Sequence, residues 1–350
     1  MINEELASLI LFANIEPADN FWAYEIDQRG AEDVYQRIIS GNYYLAKPGI
    51  LKLKDSIIQT DVEKLQIEIN NSGSCFITQA SPDWPTCLAD LAKPPIGLII
   101  KGDRRVLTDL DKSIAIVGSR EPTNYGLQLS YNLAKQSGSA GLVVISGGAY
   151  GIDRSAHLGA LAASGKTISV LAGGVNRLYP ADNRKLFNEI TQSGLLISEV
   201  MPDVSSQPYR FLIRNRLIAA LAKTTVVVEA KFISGSIRTA RDAAEILCRR
   251  FGIEQIRFTN SGTESTMYAI RTARAYTGKE GVVKVEGGYH GSGDAVMVST
   301  KPSLDKAGPA EAPNSVIGNA SIPGESYVVP FNNIQALEKV FSEHANTIAC

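Results

Sequence analysis

Short runs of β-branched and aliphatic residues recur through the middle of the chain and alternate with helical patterns. Five such runs predict strands: Ile114–Val117, Leu142–Ile145, Ile168–Leu171, Leu195–Ser198 and Thr225–Glu229. Helical spacing of apolar residues fits between them, for example over Gly126–Ser137 and Asp153–Ser164. Continuous apolar runs of this length are typical of strands buried on both faces of a parallel sheet. The alternation predicts right-handed βαβ units and a doubly wound parallel sheet, an α/β fold.

The pattern differs before this sheet. Residues 1–72 repeat their apolar positions every three or four residues, which predicts a small helical N-terminal domain. Residues 73–112 form a proline-containing connector that leads into the sheet domain, with two further strands predicted at Cys75–Thr78 and Ile96–Ile100.

Small residues follow the first two predicted strands of the sheet. Gly118-Ser119-Arg120 follows the first strand, and Ser146-Gly147-Gly148 follows the second. Free backbone N–H groups at a strand-to-helix turn bind anions, and ligands of doubly wound sheets lie beyond the carboxyl ends of the strands. We therefore expect a phosphate-bearing ligand at this edge. Gly173-Gly174 also reaches the edge, or is only a tight turn.

The net charge of the chain, −1, gives no sign of a nucleic-acid partner, but its distribution does. The segment 205–241 has a net charge of +6, with Glu229 as its single anion. Its cations are Arg210, Arg214, Arg216, Lys223, Lys231, Arg238 and Arg241. A local basic stripe favours a polyanion as ligand, and a solvated surface without a ligand is the alternative.

Several classes of protein are unsupported. There is no GxGxxG followed by an acidic residue for a ribose and no GxxxxGK[ST], so a dinucleotide oxidoreductase or a P-loop enzyme is not indicated. The four cysteines have no metal-binding spacing, and we expect no metal site and reduced thiols. Without a basic leader or an apolar run of about 20 residues, we expect a cytoplasmic protein with no membrane partner.

Five motifs in order resemble the DNA-processing protein family DprA, also called Smf, over roughly residues 1–244. They are Ile116–Arg120, Ser146–Asp153 with His157, Tyr179-Pro180, Phe211–Ala219, and Val227–Ala230 with Ser234–Ser236 and Thr239-Ala240. The resemblance implies that residues 113–244 form a Rossmann-like domain. It also implies a protein, not known as an enzyme, that binds and protects single-stranded DNA and helps to load the RecA recombinase in natural transformation. A homodimer through the Rossmann-like domain is implied as well.

The same resemblance implies a DNA site and no catalytic residues. Its members are Gly118, Ser119, Arg120, Ser146, Gly147, Gly148, Phe211, Arg214, Asn215 and Arg216. Arg120, Arg214 and Arg216 should contact phosphates, Ser119 should support its loop, and the glycines should let the strand approach the backbone. Phe211 should stack on a base. Cations along a groove with an aromatic surface are what binding of single strands without sequence preference requires.

Alternatives remain open for some of these residues. Asp153 and His157, four residues apart on a predicted helix, could form a catalytic pair, but a helix-capping aspartate and a structural histidine are favoured because no nucleophile accompanies them. Phe211 could be a core residue. A nucleotide-processing enzyme that binds phosphates on the two glycine turns is the alternative function.

The pattern changes near Ala244, and residues 245–350 resemble glutamate-1-semialdehyde aminomutase and other class III aminotransferases. The resemblance lies in Arg257–Ser265, Ala269–Arg274, Lys284–Gly291 and Val329–Asn333. The chain therefore looks like a fusion joined within Asp242–Leu247, ending in an incomplete α/β fragment of the PLP type I aminotransferase fold. We expect Thr239–Phe251 to form one helix across the join and Ile256–Phe258 to add an edge strand.

In the aminotransferases, residues matching Ser261, Gly262 and Thr263 hold the phosphate of pyridoxal phosphate, and the residue matching Tyr289 stacks on its ring. The aspartate for the pyridine nitrogen and the Schiff-base lysine have no counterpart in the sequence. We expect a vestigial phosphate cup, no resident cofactor and no aminotransferase activity, the PLP-dependent enzyme being the alternative. The tail should expose apolar surface, with Lys301–Gly324 as a poorly ordered loop.

Overall fold

The structure is a computed structural model, and it describes residues 2–43, 49–230, 235–257, 259, 261–303, 305–306 and 326–350. The chain divides into two compact units, Met1–Ile256 and Arg257–Cys350. We describe each unit by itself.

Five helices begin the first unit, in agreement with the helical pattern predicted for residues 1–72. They are α1 Glu4–Asn14, α2 Asn20–Arg29, α3 Ala31–Ser40, α4 Ile50–Gln59 and α5 Val62–Asn71. Three of the helices are capped by Asn3, Asp19 and Asp61, whose side chains accept N–H bonds from the first turn. Leu9 and Phe12 of α1 pack with residues of the sheet in one core, so the N-terminal helices belong to the same unit as the sheet.

Seven strands form one mixed sheet in the order β1-β2-β6-β5-β4-β3-β7. Their bounds are β1 Cys75–Ile77, β2 Leu98–Gly102, β3 Ser113–Val117, β4 Val143–Ser146, β5 Thr167–Leu171, β6 Leu195–Ser198 and β7 Thr224–Val227. Strands β3 to β7 are parallel, as the apolar runs predicted, and β1 and β2 are antiparallel additions beside β6. The predicted α/β class is confirmed.

Helices cover both faces of this sheet. They are α6 Asn124–Ser139, α7 Ile152–Ala162, α8 Arg184–Ser193, α9 Pro208–Leu221 and α10 Gly235–Phe251. Alternate residues of β3 show the two cores: Ala115 and Val117 pack with α9, whereas Ile114 and Ile116 pack with α6 and α7. Strands β4, β5 and β6 follow one another on one side of β3, whereas β7 lies on its other side. The strand order therefore reverses at β3, which is where doubly wound sheets bind their ligands.

A single helix crosses the predicted join. Helix α10 runs through Asp242–Leu247, and its Ile246 is buried in the core that contains residues of α9. The first unit therefore extends to Ile256, beyond the boundary predicted at 244. The predicted edge strand at Ile256–Phe258 is not formed by Ile256 or Arg257, and Phe258 lies outside the described residues.

The second unit is small. It contains α11 Gly262–Thr277, β8 Val282–Val285, β9 Ser326–Val329 and α12 Ile334–His344, with β8 and β9 paired in parallel. Its core cluster is Ile270, Val282 and Val296, and it leaves Phe331 84% exposed and Ile334 68% exposed. Most of the predicted loop Lys301–Gly324 lies outside the described residues.

Candidate functional site

A cavity of about 500 Å³ opens beyond the carboxyl end of β3, where the strand order of the sheet reverses. The loop after β3 forms one wall, and the first half of α9 forms the other. Six of the residues predicted for a DNA site line it: Gly118, Ser119, Arg120, Phe211, Arg214 and Asn215. Ser146, Gly147, Gly148 and Arg216 are not among its lining residues.

Arg120 and Phe211 lie together at this cavity. The guanidinium carbon of Arg120, an exposed residue, is 5.1 Å from the centroid of the partly buried Phe211 ring. Tyr179 lies on another side of Phe211, with ring centroids 5.5 Å apart and 69° between the ring planes. The group combines a solvent-facing cation with aromatic surface, which suits a ligand that has both phosphate and planar groups.

The loop that carries Arg120 is held by Glu229 and by its own serine. The Ser119 N–H donates to the Glu229 carbonyl at 2.6 Å, and the Ser119 hydroxyl accepts from the Glu121 N–H at 3.1 Å. The carboxylate of Glu229 accepts from the Thr123 N–H at 3.1 Å and from its hydroxyl at 2.9 Å.

The two anion sites predicted at the turns after β3 and β4 already have carboxylates of the protein beside them. Thr123 caps α6, so Glu229 places a negative charge of the protein itself at that helix N-terminus. At α7, Asp153 lies in the first turn and accepts from the Ala149 N–H at 3.4 Å. The prediction that Asp153 caps this helix is therefore wrong: Gly151 is the N-cap residue of α7 and no side chain caps it, while Asp153 binds the glycine loop instead. Both predicted anion sites contain an internal carboxylate, and Arg120 is the solvent-facing cation beside them.

Arg214 is buried beneath the glycine loop rather than exposed in the cavity. Its Nη1 donates to the carbonyl of Gly147 at 2.7 Å and to the carbonyl of Val170. Only 5% of the residue is exposed, and burial lowers the pKa of Arg214 to about 10, an effect that the charge of Asp153 opposes. Arg214 therefore already donates to three acceptors within the protein, the third being the Asn215 side chain, which accepts from its Nε.

Arg216 and Asn215 also have partners within the protein. Arg216 Nη2 donates to Glu199 Oε1 at 2.5 Å in a buried ion pair. Burial raises the pKa of Glu199, although the charge of Arg216 opposes the rise. The Asn215 amide donates to the Gly235 carbonyl at 3.0 Å, which ties α9 to the start of α10.

The basic stripe counted along the sequence is therefore largely neutralised in the fold. Its ion pairs are Arg210 with Glu16, Arg216 with Glu199, Lys223 with Asp111, and Arg238 with Asp242. Lys231 lies outside the described residues. The net charge of +6 counts only residues within the segment, whereas the carboxylates that pair with its cations lie outside the segment.

His157 is a buried group away from the cavity lining. Its Nδ1 lies 2.8 Å from the Thr167 hydroxyl, which itself donates to the Val144 carbonyl. The residue is fully buried, and burial together with the charge of Arg214 lowers the pKa of His157 to about 3. It is neutral at pH 7 and holds α7 to β5.

Sequence reasoning missed one residue that fixes the glycine loop. Asn183, which is 1% exposed, donates from its amide to the carbonyl of Gly148 at 2.9 Å and to that of Ala149 at 3.4 Å. Gly148 has a φ of +69°, a conformation that favours glycine, and a Cβ there would meet Phe187 and Ser169. No local pattern distinguishes Asn183 from an ordinary loop asparagine.

The predicted phosphate cup of the second unit has its hydroxyl groups engaged. Ser261 caps α11 by accepting from the Glu264 N–H at 3.2 Å, and the Thr263 hydroxyl accepts from the Ser292 N–H at 3.4 Å. The buried Lys284 ammonium donates to the carbonyls of Gly288 and Val298, so it is not presented to a ligand. Tyr289 is 62% exposed. These residues do not fit a covalently anchored pyridoxal phosphate.

Other site types find no support in the part of the chain that the structure describes. There, no cluster of histidine, cysteine, aspartate or glutamate has a metal-binding arrangement. Among the same residues, no helix has the length and apolar character needed to cross a bilayer.

Comparison with known proteins gives two separate similarities. Residues 75–283 match the family model for DNA recombination-mediator protein A. The DNA processing protein DprA of Bacillus subtilis is 39% identical over 201 residues, which cover 55% of this chain and 67% of that protein. The X-ray structure of DprA from Streptococcus pneumoniae superimposes with a TM-score of 0.59 at 26% identity, covering 78% of this chain and 93% of that one.

The second similarity concerns a shorter stretch. Glutamate-1-semialdehyde 2,1-aminomutase of Persephonella marina is 49% identical over 102 residues, which cover 28% of this chain and 22% of that enzyme. The predicted combination of a DprA part with an aminomutase-like part is confirmed. The chain spans less than half the length of several other curated DprA and Smf relatives.

Proposed function

Because the chain belongs to the DNA recombination-mediator protein A family, we propose that it binds single-stranded DNA without enzymatic activity. The strand lies in the cavity beyond β3, between the Gly118–Arg120 loop and α9. The observation that carries this proposal is the stack of Arg120 on Phe211, 5.1 Å apart at the cavity. Binding of a single strand uses cations for the backbone phosphates and aromatic rings for the bases, and the two groups occur together here.

The structure supports different roles for the three predicted arginines. Arg120 is exposed and contacts a phosphate of the strand. Arg214 and Arg216 act mainly from below, because their guanidinium groups already bind Gly147 and Glu199. We propose that they position the glycine loop and α9. Direct phosphate contacts by these two remain a prediction from the resemblance.

The biological role that we propose follows the family: the protein protects incoming single strands and assists RecA loading during transformation. A homodimer through the Rossmann-like domain is part of this proposal. Strand β7 is an edge strand of the sheet, and its residues Thr225–Val227 are only partly buried. Sedimentation of the intact chain, with and without a single strand, tests the dimer, and a monomer at all concentrations would contradict it.

For residues 245–350 we propose no transaminase or aminomutase chemistry. The lysine ammonium at Lys284 is buried among carbonyls, and Lys279 donates to the carbonyl of Ala345. Incubation with pyridoxal phosphate followed by borohydride should label no lysine of the tail above the background set by an exposed lysine such as Lys339. A stable cofactor adduct on one lysine would overturn this part of the proposal.

A nucleotide-binding enzyme is the second candidate. A cavity of about 500 Å³ lies within the range of small-molecule sites, about 300–1,000 Å³. Mononucleotides that displace a bound single strand at micromolar concentration, or that are hydrolysed, would favour this candidate.

The deciding experiment is fluorescence anisotropy of a labelled single strand over a salt series, for the intact chain and for Arg120→Ala. We expect binding that weakens steeply with salt, and for the variant a slope of log K against log salt that is shallower by about one unit. Lys135→Ala, which removes an exposed cation of α6, is the matched control and should keep the slope. A folded protein that fails to bind any single strand would refute the proposed function.

A further inference from the structure

Tyr179 presents an exposed aromatic surface beside the proposed DNA site. Its ring lies 5.5 Å from that of Phe211, and 51% of the residue is exposed to solvent. Phe211 in turn lies under Arg120. The three side chains form a continuous series of cation, ring and ring. A large ring that keeps half of its surface in water next to a cavity leaves space for a planar partner.

The loop that carries Tyr179 is fixed to the glycine loop by two side chains. Asn183 donates to the carbonyls of Gly148 and Ala149, and the Tyr150 hydroxyl donates to Asp182 at 2.8 Å. These bonds join residues 182–183, just after Tyr179, to residues 148–150 of the glycine loop. The loop that carries the ring is therefore fixed, and a ligand stacked on the ring has less loop-ordering entropy to overcome.

The angle between the rings limits how a strand can bind. Bases stacked on Tyr179 and on Phe211 would be inclined to each other by about the 69° between the rings. Two bases so inclined cannot stack on one another. A strand that uses both rings must be unstacked between these two nucleotides.

We infer that Tyr179 is a second base-stacking residue and that, with Phe211, it selects strands that unstack easily. This inference rests on the proposed binding of single-stranded DNA. Sequence preferences of such sites come from stacking strength and backbone flexibility. Adenine runs stack more strongly than thymine runs, so the site prefers thymine, and Tyr179 carries much of that preference.

The test compares labelled oligothymidine with oligoadenosine of equal length, using anisotropy on the intact chain. Tyr179→Ala should weaken oligothymidine binding about 10-fold, since a stacked base is worth about 1–3 kcal/mol. It should also reduce the preference for thymine. The slope of log K against log salt should stay unchanged, because no charge is lost. Tyr24→Ala, which removes a 63% exposed tyrosine on α2, is the matched control and should bind normally.

A second variant reports stacking directly. Tyr179→Trp should retain the thymine preference, and its additional fluorescence should be quenched by oligothymidine. Wild-type affinity and preference in Tyr179→Ala, or unquenched fluorescence in Tyr179→Trp, would overturn the inference. A wild-type chain that binds neither oligonucleotide would instead refute the proposed function.

Discussion

The guanidinium of Arg214 lies directly against the backbone of Gly147. Its Nη1 donates to the Gly147 carbonyl at 2.7 Å, and a Cβ added at Gly147 would lie 2.5 Å from the guanidinium nitrogens. The glycine is thus required by a buried arginine of the protein, in addition to any approach by a ligand. This relationship distinguishes Arg214, which holds the glycine loop, from Arg120, which we propose contacts the strand.

Gly147→Ala should destabilise the first unit. The added methyl group must displace the Arg214 guanidinium or the loop, and overpacking of this kind costs about 1–3 kcal/mol. Chemical denaturation followed by tryptophan fluorescence measures it, because both tryptophans, Trp22 and Trp84, lie in the first unit. Gly235→Ala is the matched control, since its Cβ would be 3.7 Å from the nearest atom, an ordinary contact. Equal stability of the two variants would contradict the prediction.

Arg214→Ala and Arg120→Ala should fail in different ways. Loss of Arg214 leaves the buried Asp153 without its nearby cation and the Gly147 and Val170 carbonyls without their donor, and each buried polar group left unsatisfied costs about 1–3 kcal/mol. Arg120 is exposed, so its removal should change stability by less than about 0.5 kcal/mol. Arg120→Ala should then lower DNA affinity in a fully folded protein.

Thermal unfolding and anisotropy on the same samples distinguish the two variants. Arg214→Lys keeps the charge but cannot reproduce the planar fork, and it should be intermediate in stability. If Arg214→Ala unfolds like wild type and changes only the salt slope of DNA binding, Arg214 is a direct phosphate contact after all.

Local pattern was sufficient to predict the sheet. Strands β3 to β6 are buried along their whole length between helices, whereas the edge strand β7 is only partly buried. All five strands begin and end within two residues of their predicted bounds. A strand that is buried on both faces has apolar residues at consecutive positions, so it can be predicted from the sequence without knowledge of the fold.

The electrostatics of the site could not be predicted in this way. Arg210 pairs with Glu16, which is 194 residues away in the chain, and Arg216 pairs with Glu199. Such partners are set by tertiary packing. The charge of the segment therefore overestimated the free positive charge. Arg120 lies outside that segment and was predicted from its motif, and the structure adds that it lies next to Phe211.

Arg216 and Glu199 should behave as a pair. Arg216→Met leaves the Glu199 carboxylate buried without its cation, and we expect a loss of about 3–5 kcal/mol. The double variant Arg216→Met/Glu199→Leu should recover much of the loss, because neither charge of this pair then remains buried. A double variant as unstable as the single one in chemical denaturation would show that the pair is not the cause.

His157 should make the first unit sensitive to acid. The folded protein lowers the pKa of His157 to about 3, whereas the unfolded chain binds a proton near pH 6.5. Between these values the unfolded state holds one more proton than the folded state. The contribution of this group is therefore favourable above pH 6.5 and is lost as the pH falls, by about 1.4 kcal/mol per pH unit.

Urea unfolding of the first unit at a series of pH values from about 7.5 to 5 measures this slope. His157→Asn keeps a polar partner for the Thr167 hydroxyl but cannot be protonated. It should be less stable than wild type at pH 7.5, because the smaller side chain fills the site less well. Its free energy of unfolding should nevertheless fall less steeply as the pH is lowered, because the variant takes up one proton fewer on unfolding. The raised pKa values of Asp153 and Glu199 are common to both proteins, so the difference between the two slopes isolates the histidine. Identical slopes would mean that His157 takes up a proton in the folded state within this range, and that burial does not control its charge.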